Sequence, residues 1–143
     1  LRIGKYTIHL HPMSVHFTNA LYPVSLLFLA LYLLTKEDSS RTTYGYIITL
    51  AALSTPVSFA TGYIQWRQKY KAAKVRVFIR KIRLGIALMA VGPSCTLWYW
   101  ADPGFLTRGG MEVFLFSLLN LTVLPLAVTL GYLGGNLVRW RPH

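Results

Sequence analysis

Four stretches of this chain are apolar almost without interruption: Pro12 to Leu34, Tyr44 to Trp66, Leu84 to Ala101 and Met111 to Leu133, the last carrying on toward Val138. A helix rises about 1.5 Å per residue, so runs of 18 or more residues each reach across a hydrocarbon core of about 30 Å. Glu112, at one end of the fourth run, is the only Lys, Arg, Asp or Glu within them. The pattern predicts an all-α, integral membrane four-helix bundle, with residues 1–143 forming one transmembrane domain. A soluble bundle would instead need amphipathic helices with a polar exterior, which these runs do not supply. The first run is too long for a signal-peptide core and no A-x-A-like site follows it, so it is expected to be retained. No internal repeat is evident.

Composition agrees with that reading. The chain is 54% hydrophobic and 13% charged, with a mean hydropathy of +0.44. Soluble domains carry about a quarter charged residues. A water-soluble enzyme and a disordered tail are thereby both excluded.

The formal charge of +11 gains its meaning from its distribution. With four spans, the segment before the first, the connection between the second and third and the segment after the fourth share one side. That side holds twelve of the fifteen Lys and Arg, whereas the other holds Lys36, Arg41, Arg108 and all four acids, Glu37, Asp38, Asp102 and Glu112. The positive-inside rule then predicts that both termini face the cytoplasm. Trp66 and Trp140 would mark the inner interface, and Trp98 and Trp100 the outer one.

Eight of those cations, Arg67, Lys69, Lys71, Lys74, Arg76, Arg80, Lys81 and Arg83, fall in one connection. Val75, Phe78, Ile79 and Ile82 recur there at helical spacing, with Lys71, Lys74 and Lys81 largely on the opposing face. The segment is expected to extend the third helix or to lie in the interface. It suits anionic lipid headgroups or an acidic partner protein. Nucleic acid is not expected, because no recognised motif accompanies the charge.

His16 is the one ionisable residue well inside a span, about a turn into the first helix; His11 immediately precedes Pro12. Imidazole is a common ligand of haem iron, so His16 and His11 are candidate ligands for b-type haem or neighbours of a quinone. Five residues apart, they stand about 140° around an ideal helix and share no face. A second ligand would have to come from elsewhere in the chain or from another subunit. The plain structural reading is a hydrogen bond within the bundle, with Asn19 as a candidate partner. Cys95 is alone, which leaves no disulfide, no covalent haem attachment and no iron–sulfur set. With no carboxylate at mid-depth there is no paired acid and base and no evident proton relay.

Packing signals are clearer. Ser54, Ser58 and Gly62 form a small-residue ridge, and Gly131 and Gly135 a G-x-x-x-G, both of which permit close helix approach. Pro23, Pro56, Pro93 and Pro125 each lie near the middle of a span, where four kinks could open the bundle's centre to a cofactor, quinone or lipid tail.

Three segments carry a family resemblance: HPMSVHF at 11–17, TGYIQW at 61–66 and GGNLVRW at 134–140. They resemble the HP-x-x-VHF-P, T-G-x-x-D-W and G-G-E-L-V-Y-R signatures of the domain-of-unknown-function 2231 family of small four-helix bacterial membrane proteins. Some of that family are linked to Rieske-type iron–sulfur domains, so the resemblance implies a membrane setting and a tie to electron transfer. His11 and His16 carry over intact. Thr18, Gln65 and Asn136 depart from the family's proline, aspartate and glutamate. The histidine that many members carry early in the third helix has no counterpart here; Lys81 or a neighbour occupies that region. Two functions follow as expectations. One is a non-catalytic anchor or assembly subunit among other membrane-protein subunits of a larger complex linked to electron transfer. The other is a redox subunit holding b-type haem or quinone through His16 and His11.

Overall fold

The computed structural model describes the backbone at 2–3, 6–7 and 10–139 and the side chains over 11–135. A two-residue antiparallel pairing of β1 (Arg2–Ile3) with β2 (Tyr6–Thr7) comes first. Helices follow: α1 (Leu10–Thr35), α2 (Asp38–Lys69), α3 (Arg76–Ala101), the single turn α4 (Phe105–Arg108) and α5 (Met111–Arg139). The four long helices are each long and apolar enough to span a membrane. The side chains of His9, Trp140, His143 and the terminal cations lie outside the described residues.

Each helix outruns its apolar stretch. α2 begins at Asp38 rather than Tyr44, and α3 at Arg76 rather than Leu84. Polar residues end a hydrophobic run without ending a helix. α1 stops where Lys36 adopts a left-handed φ of 59°, and only Lys36 and Glu37 separate it from α2. α2 ends at a turn in which Lys71 and Ala72 both have positive φ. Between α4 and α5 the left-handed positions belong to Gly109 and Gly110, where the conformation costs a side chain nothing. Asp38 in the first turn of α2, and Arg67 and Lys69 in its last, oppose the helix dipole favourably. One end of the bundle is therefore acidic and the other basic.

The helices form a ring in chain order, α1 on α2, α2 on α3, α3 on α5 and α5 back on α1, and neither diagonal pair meets at the backbone. Side chains fill the centre instead. Tyr22 and Tyr44 are fully buried. Tyr44 of α2 crosses one diagonal and donates its hydroxyl to Asn120 Oδ1 of α5 at 2.7 Å. Tyr22 of α1 reaches along the other, so that a Cβ on Gly92 of α3 would overlap its hydroxyl. The Tyr22 hydroxyl lies 2.8 Å from Thr55 Oγ1. Since Thr55 donates to the Ala51 carbonyl, Tyr22 is the donor in that pair.

The exterior is apolar. Leu27, Leu53, Leu97 and Leu121 are 56%, 67%, 71% and 57% exposed, one on each long helix. Leucines turned outward on every side are the surface of a protein solvated by lipid. The mid-span prolines share it: Pro23, Pro56 and Pro125 face outward and Pro93 is half-buried. The residues just before three of them, Tyr22, Thr55 and Gly92, face inward and fill the level at which a central opening was expected.

Packing density differs between the two halves. Toward the acidic end Tyr44, Tyr99, Phe105 and Phe116 form a buried aromatic cluster, with Phe105 and Phe116 4.8 Å apart edge-to-face. α4 exists to supply part of it: Phe105 and Leu106 are buried, and Asp102 receives the Gly104 N–H at 3.1 Å while pairing with Arg108. Toward the basic end, no described residue of α1 before Thr18, of α2 after Thr55 or of α5 after Ala127 is fully buried.

The α4 corner carries a pH dependence. Its hydrogen bond from Arg108 holds the Asp102 carboxyl below the ordinary 3.8. A depressed carboxyl contributes stability at pH values above the ordinary one and loses it as pH falls through the depressed value. Near-ultraviolet circular dichroism, sensitive to Trp98 beside Phe105, is expected to change in that acid range. Asp102→Asn should remove the step, and an unchanged profile would dissociate α4 from this ion pair.

Candidate functional site

The polar side chains of the basic half gather on the seam between α1 and α2. Residues 11, 14, 18 and 22 follow one face of α1, and residues 54, 55, 58, 61 and 62 the facing side of α2, at the three- and four-residue steps of a helix. Thr18 Oγ1 lies 2.9 Å from Ser54 Oγ and 2.7 Å from Ser58 Oγ. One turn nearer the basic end, Ser14 Oγ and His11 Nδ1 each lie 3.2 Å from Thr61 Oγ1. Thr61 spends its own proton on the carbonyl of Val57 or Ser58, so it accepts from the His11 ring. The small ridge Ser54–Ser58–Gly62 is thus turned toward α1, and Gly62 is needed there. A Cβ on Gly62 would come within 2.7 Å of His11 Cε1.

This seam is a ladder of short hydroxyl side chains, bonded across the helices or to carbonyls three and four residues back. Such bonds hold helices together in lipid, where each is worth about 0.6 kcal/mol and at most about 1.7. Sequence reasoning found Ser54, Ser58 and Gly62 but missed Ser14, Thr18, Tyr22, Thr55 and Thr61. For the three on α1 the signal was present in the repeat 11, 14, 18, 22, with a polar side chain at every step.

His16 lies on the other side of α1. Its side chain is exposed, between Met13 and Phe17, which are 65% and 54% exposed. Asn19 does not bond it; the Asn19 amide instead faces Gly131 of α5, whose Cβ would lie 3.1 Å from Nδ2. Among the described residues nothing packs within 4 Å of a Cβ on Gly135. His11 and His16 therefore do not converge. One ring is bound to Thr61 inside the seam and the other faces outward, an arrangement that does not fit a single haem or quinone held by both. Among the described residues no group of three or more His, Cys, Asp and Glu is placed to hold a metal.

The basic connection divides in a way its spacing did not foretell. Seven of the eight cations, Arg67, Lys69, Lys71, Lys74, Arg76, Arg80 and Arg83, are exposed. Lys81 is half-buried, and a Cβ on Gly134 of α5 would lie 3.7 Å from its Nζ. It shares no helix face with Lys71 and Lys74, because those two lie in the non-helical connection that precedes Arg76, the first residue of α3. Phe78 is buried as the apolar pattern requires and packs against Tyr70, whereas Val75 and Ile79 remain 47% and 39% exposed.

The model of a family described as predicted membrane protein (DUF2231) matches residues 7–141, and the chain belongs to that family. No curated protein and no solved structure matches.

Proposed function

We infer that this DUF2231 member is a non-catalytic, multi-pass subunit of a bacterial inner membrane, which anchors or assembles a larger complex linked to electron transfer. Its termini and its basic connection face the cytoplasm by the positive-inside rule. One observation carries the reading. The centre of the bundle is filled by the chain's own side chains, with Tyr22 and Tyr44 lying across its two diagonals. What the chain offers other molecules is therefore its outer surface. Two parts of that surface call for company: the seven exposed cations, and the His16 imidazole on an otherwise apolar face. A polar ring in hydrocarbon is costly, and a neighbouring helix that bonds to it removes the cost. The electron-transfer setting is supported by the family resemblance alone.

The alternative, b-type haem or quinone bound through His16 and His11, loses support within one chain because the two rings diverge. A group shared with a partner through His16 is the form of it that the same experiment tests. The protein is purified in mild detergent with its subunits identified by mass, and a reduced-minus-oxidised absorption spectrum is recorded. A colourless chain that travels with larger partners is expected. A haem signal that stays with this chain and is lost in His16→Ala would overturn the anchor reading. Exchanging Lys69, Lys71 and Lys74 together for Gln is expected to reduce co-purification of the partners by about tenfold, taking ~0.5 kcal/mol per surface charge. Unchanged stoichiometry would remove these lysines from the interface.

A further inference from the structure

The surface cations are solvated, but Lys81 is not simply one of them. It stands five residues into α3, about 8 Å along the helix from its first residue. Its ammonium points back into the basic end of the bundle, over the bare backbone of α5 at Gly134. The His11 ring lies within electrostatic reach of it, itself seated on the bare backbone of α2 at Gly62. No described residue forms a salt bridge with Lys81; all three ion pairs lie at the acidic end. The sequence explains why, since all four acids of the chain belong to that opposite end. His11, Ser14 and Thr61, the polar side chains of the α1–α2 seam at this end, are only half-buried. A half-buried ammonium draws in an opposite charge, and no Asp or Glu side chain of the sequence belongs to that end.

We propose that the basic end of the bundle, where Lys81 stands over Gly134 and His11 over Gly62, is a binding site for a phosphate group, with the Lys81 ammonium as its counter-charge. The helix-end depth is that of the phospholipid headgroups, so an anionic lipid phosphodiester is the natural occupant. The site stands apart from the seven exposed cations, which attract anionic surfaces without selecting one molecule, and it does not depend on the subunit reading.

The test uses the full chain, delipidated in a non-ionic detergent. It is titrated with dioleoyl phosphatidylglycerol and, separately, with inorganic phosphate, bound lipid being counted by native mass spectrometry and stabilisation read from the melting temperature. A single saturable phosphatidylglycerol site is expected. Lys81→Gln should weaken it at least tenfold, the size of one charge-assisted hydrogen bond of roughly 1.5–3 kcal/mol. Lys71→Gln, an exposed charge at the same end, should change it less than about twofold. If Lys81→Gln does not fold, Gly134→Val replaces it, adding bulk beside the ammonium while leaving every charge in place, and should weaken the site likewise. Equal protection by inorganic phosphate would keep the site and assign it to the free anion. Equal effects of Lys81→Gln and Lys71→Gln, or binding that never saturates, would overturn the proposal.

Discussion

Alanine at position 92 is expected to destabilise the bundle by about 2–3 kcal/mol, the upper part of the range for overpacking a filled interior. The cause is local. A Cβ there overlaps the hydroxyl of Tyr22, which is fully buried and fixed by its bond to Thr55. A tyrosine ring has no flexible end to move aside. The same geometry predicts its own rescue. Tyr22→Phe removes the overlapping oxygen and forfeits a bond worth about 0.6 kcal/mol in lipid. The double variant Tyr22→Phe with Gly92→Ala should therefore be more stable than Gly92→Ala alone, the coupling of at least about 1 kcal/mol exceeding the cost of Tyr22→Phe. Equilibrium unfolding in mixed micelles, titrated with a denaturing detergent, gives all four values. Additive effects would show that α1 and α3 do not meet through this pair.

Phe116→Ala should be comparably severe, about 2–3 kcal/mol. In water, removing a buried phenylalanine costs about 3–5 kcal/mol, part of it from returning apolar surface to solvent. In a bilayer that part shrinks, because lipid tails are as apolar as the core. The cavity and the lost contacts remain, and they are extensive here. Phe116 packs edge-to-face with Phe105, Tyr44 and Trp98 at centroid distances of 4.8, 5.9 and 5.7 Å. Its loss should also release α4, which is held through Phe105, and shift the emission of Trp98. Leu121→Ala, on the exposed face of the same helix, is expected to cost less than about 0.5 kcal/mol. If the two variants proved alike, the aromatic cluster would not be the anchor of the acidic half.

The four spans were legible from the sequence because crossing a bilayer demands apolar length, and length shows in a linear string. Rotation was not legible from hydrophobicity. When lipid and core are equally apolar, no moment marks which side of a helix turns inward. His16 and the mid-span prolines were accordingly placed by depth alone, and the outward positions of His16, Pro23, Pro56 and Pro125 came only with the packing. The start of α2 was missed for a related reason: Asp38–Thr43 is helical but too polar to register in an apolar run, whereas the spacing of Phe78, Ile79 and Ile82 did point to the early start of α3. Lys81 illustrates a third kind of failure. A helical wheel drawn through residues 67–83 assumes one continuous register, and the left-handed pair at Lys71 and Ala72 resets it. Short-range spacing did better. Ser54, Ser58 and Gly62 lie on one face whatever the tertiary structure does, and it is that face which meets α1.

The ring order has a consequence for biosynthesis. Three of its four seams join helices that follow one another in the chain, so each can zip as soon as its second helix enters the bilayer. The fourth joins α1 to α5, the first helix to the last, and it holds Asn19 against Gly131. Domains made from the N-terminus onward acquire such a contact last. Until α5 arrives, the nascent three-helix sheet exposes that flank of α1 to whatever chaperone or neighbouring subunit is present, and insertion of the final helix both completes the bundle and ends that access.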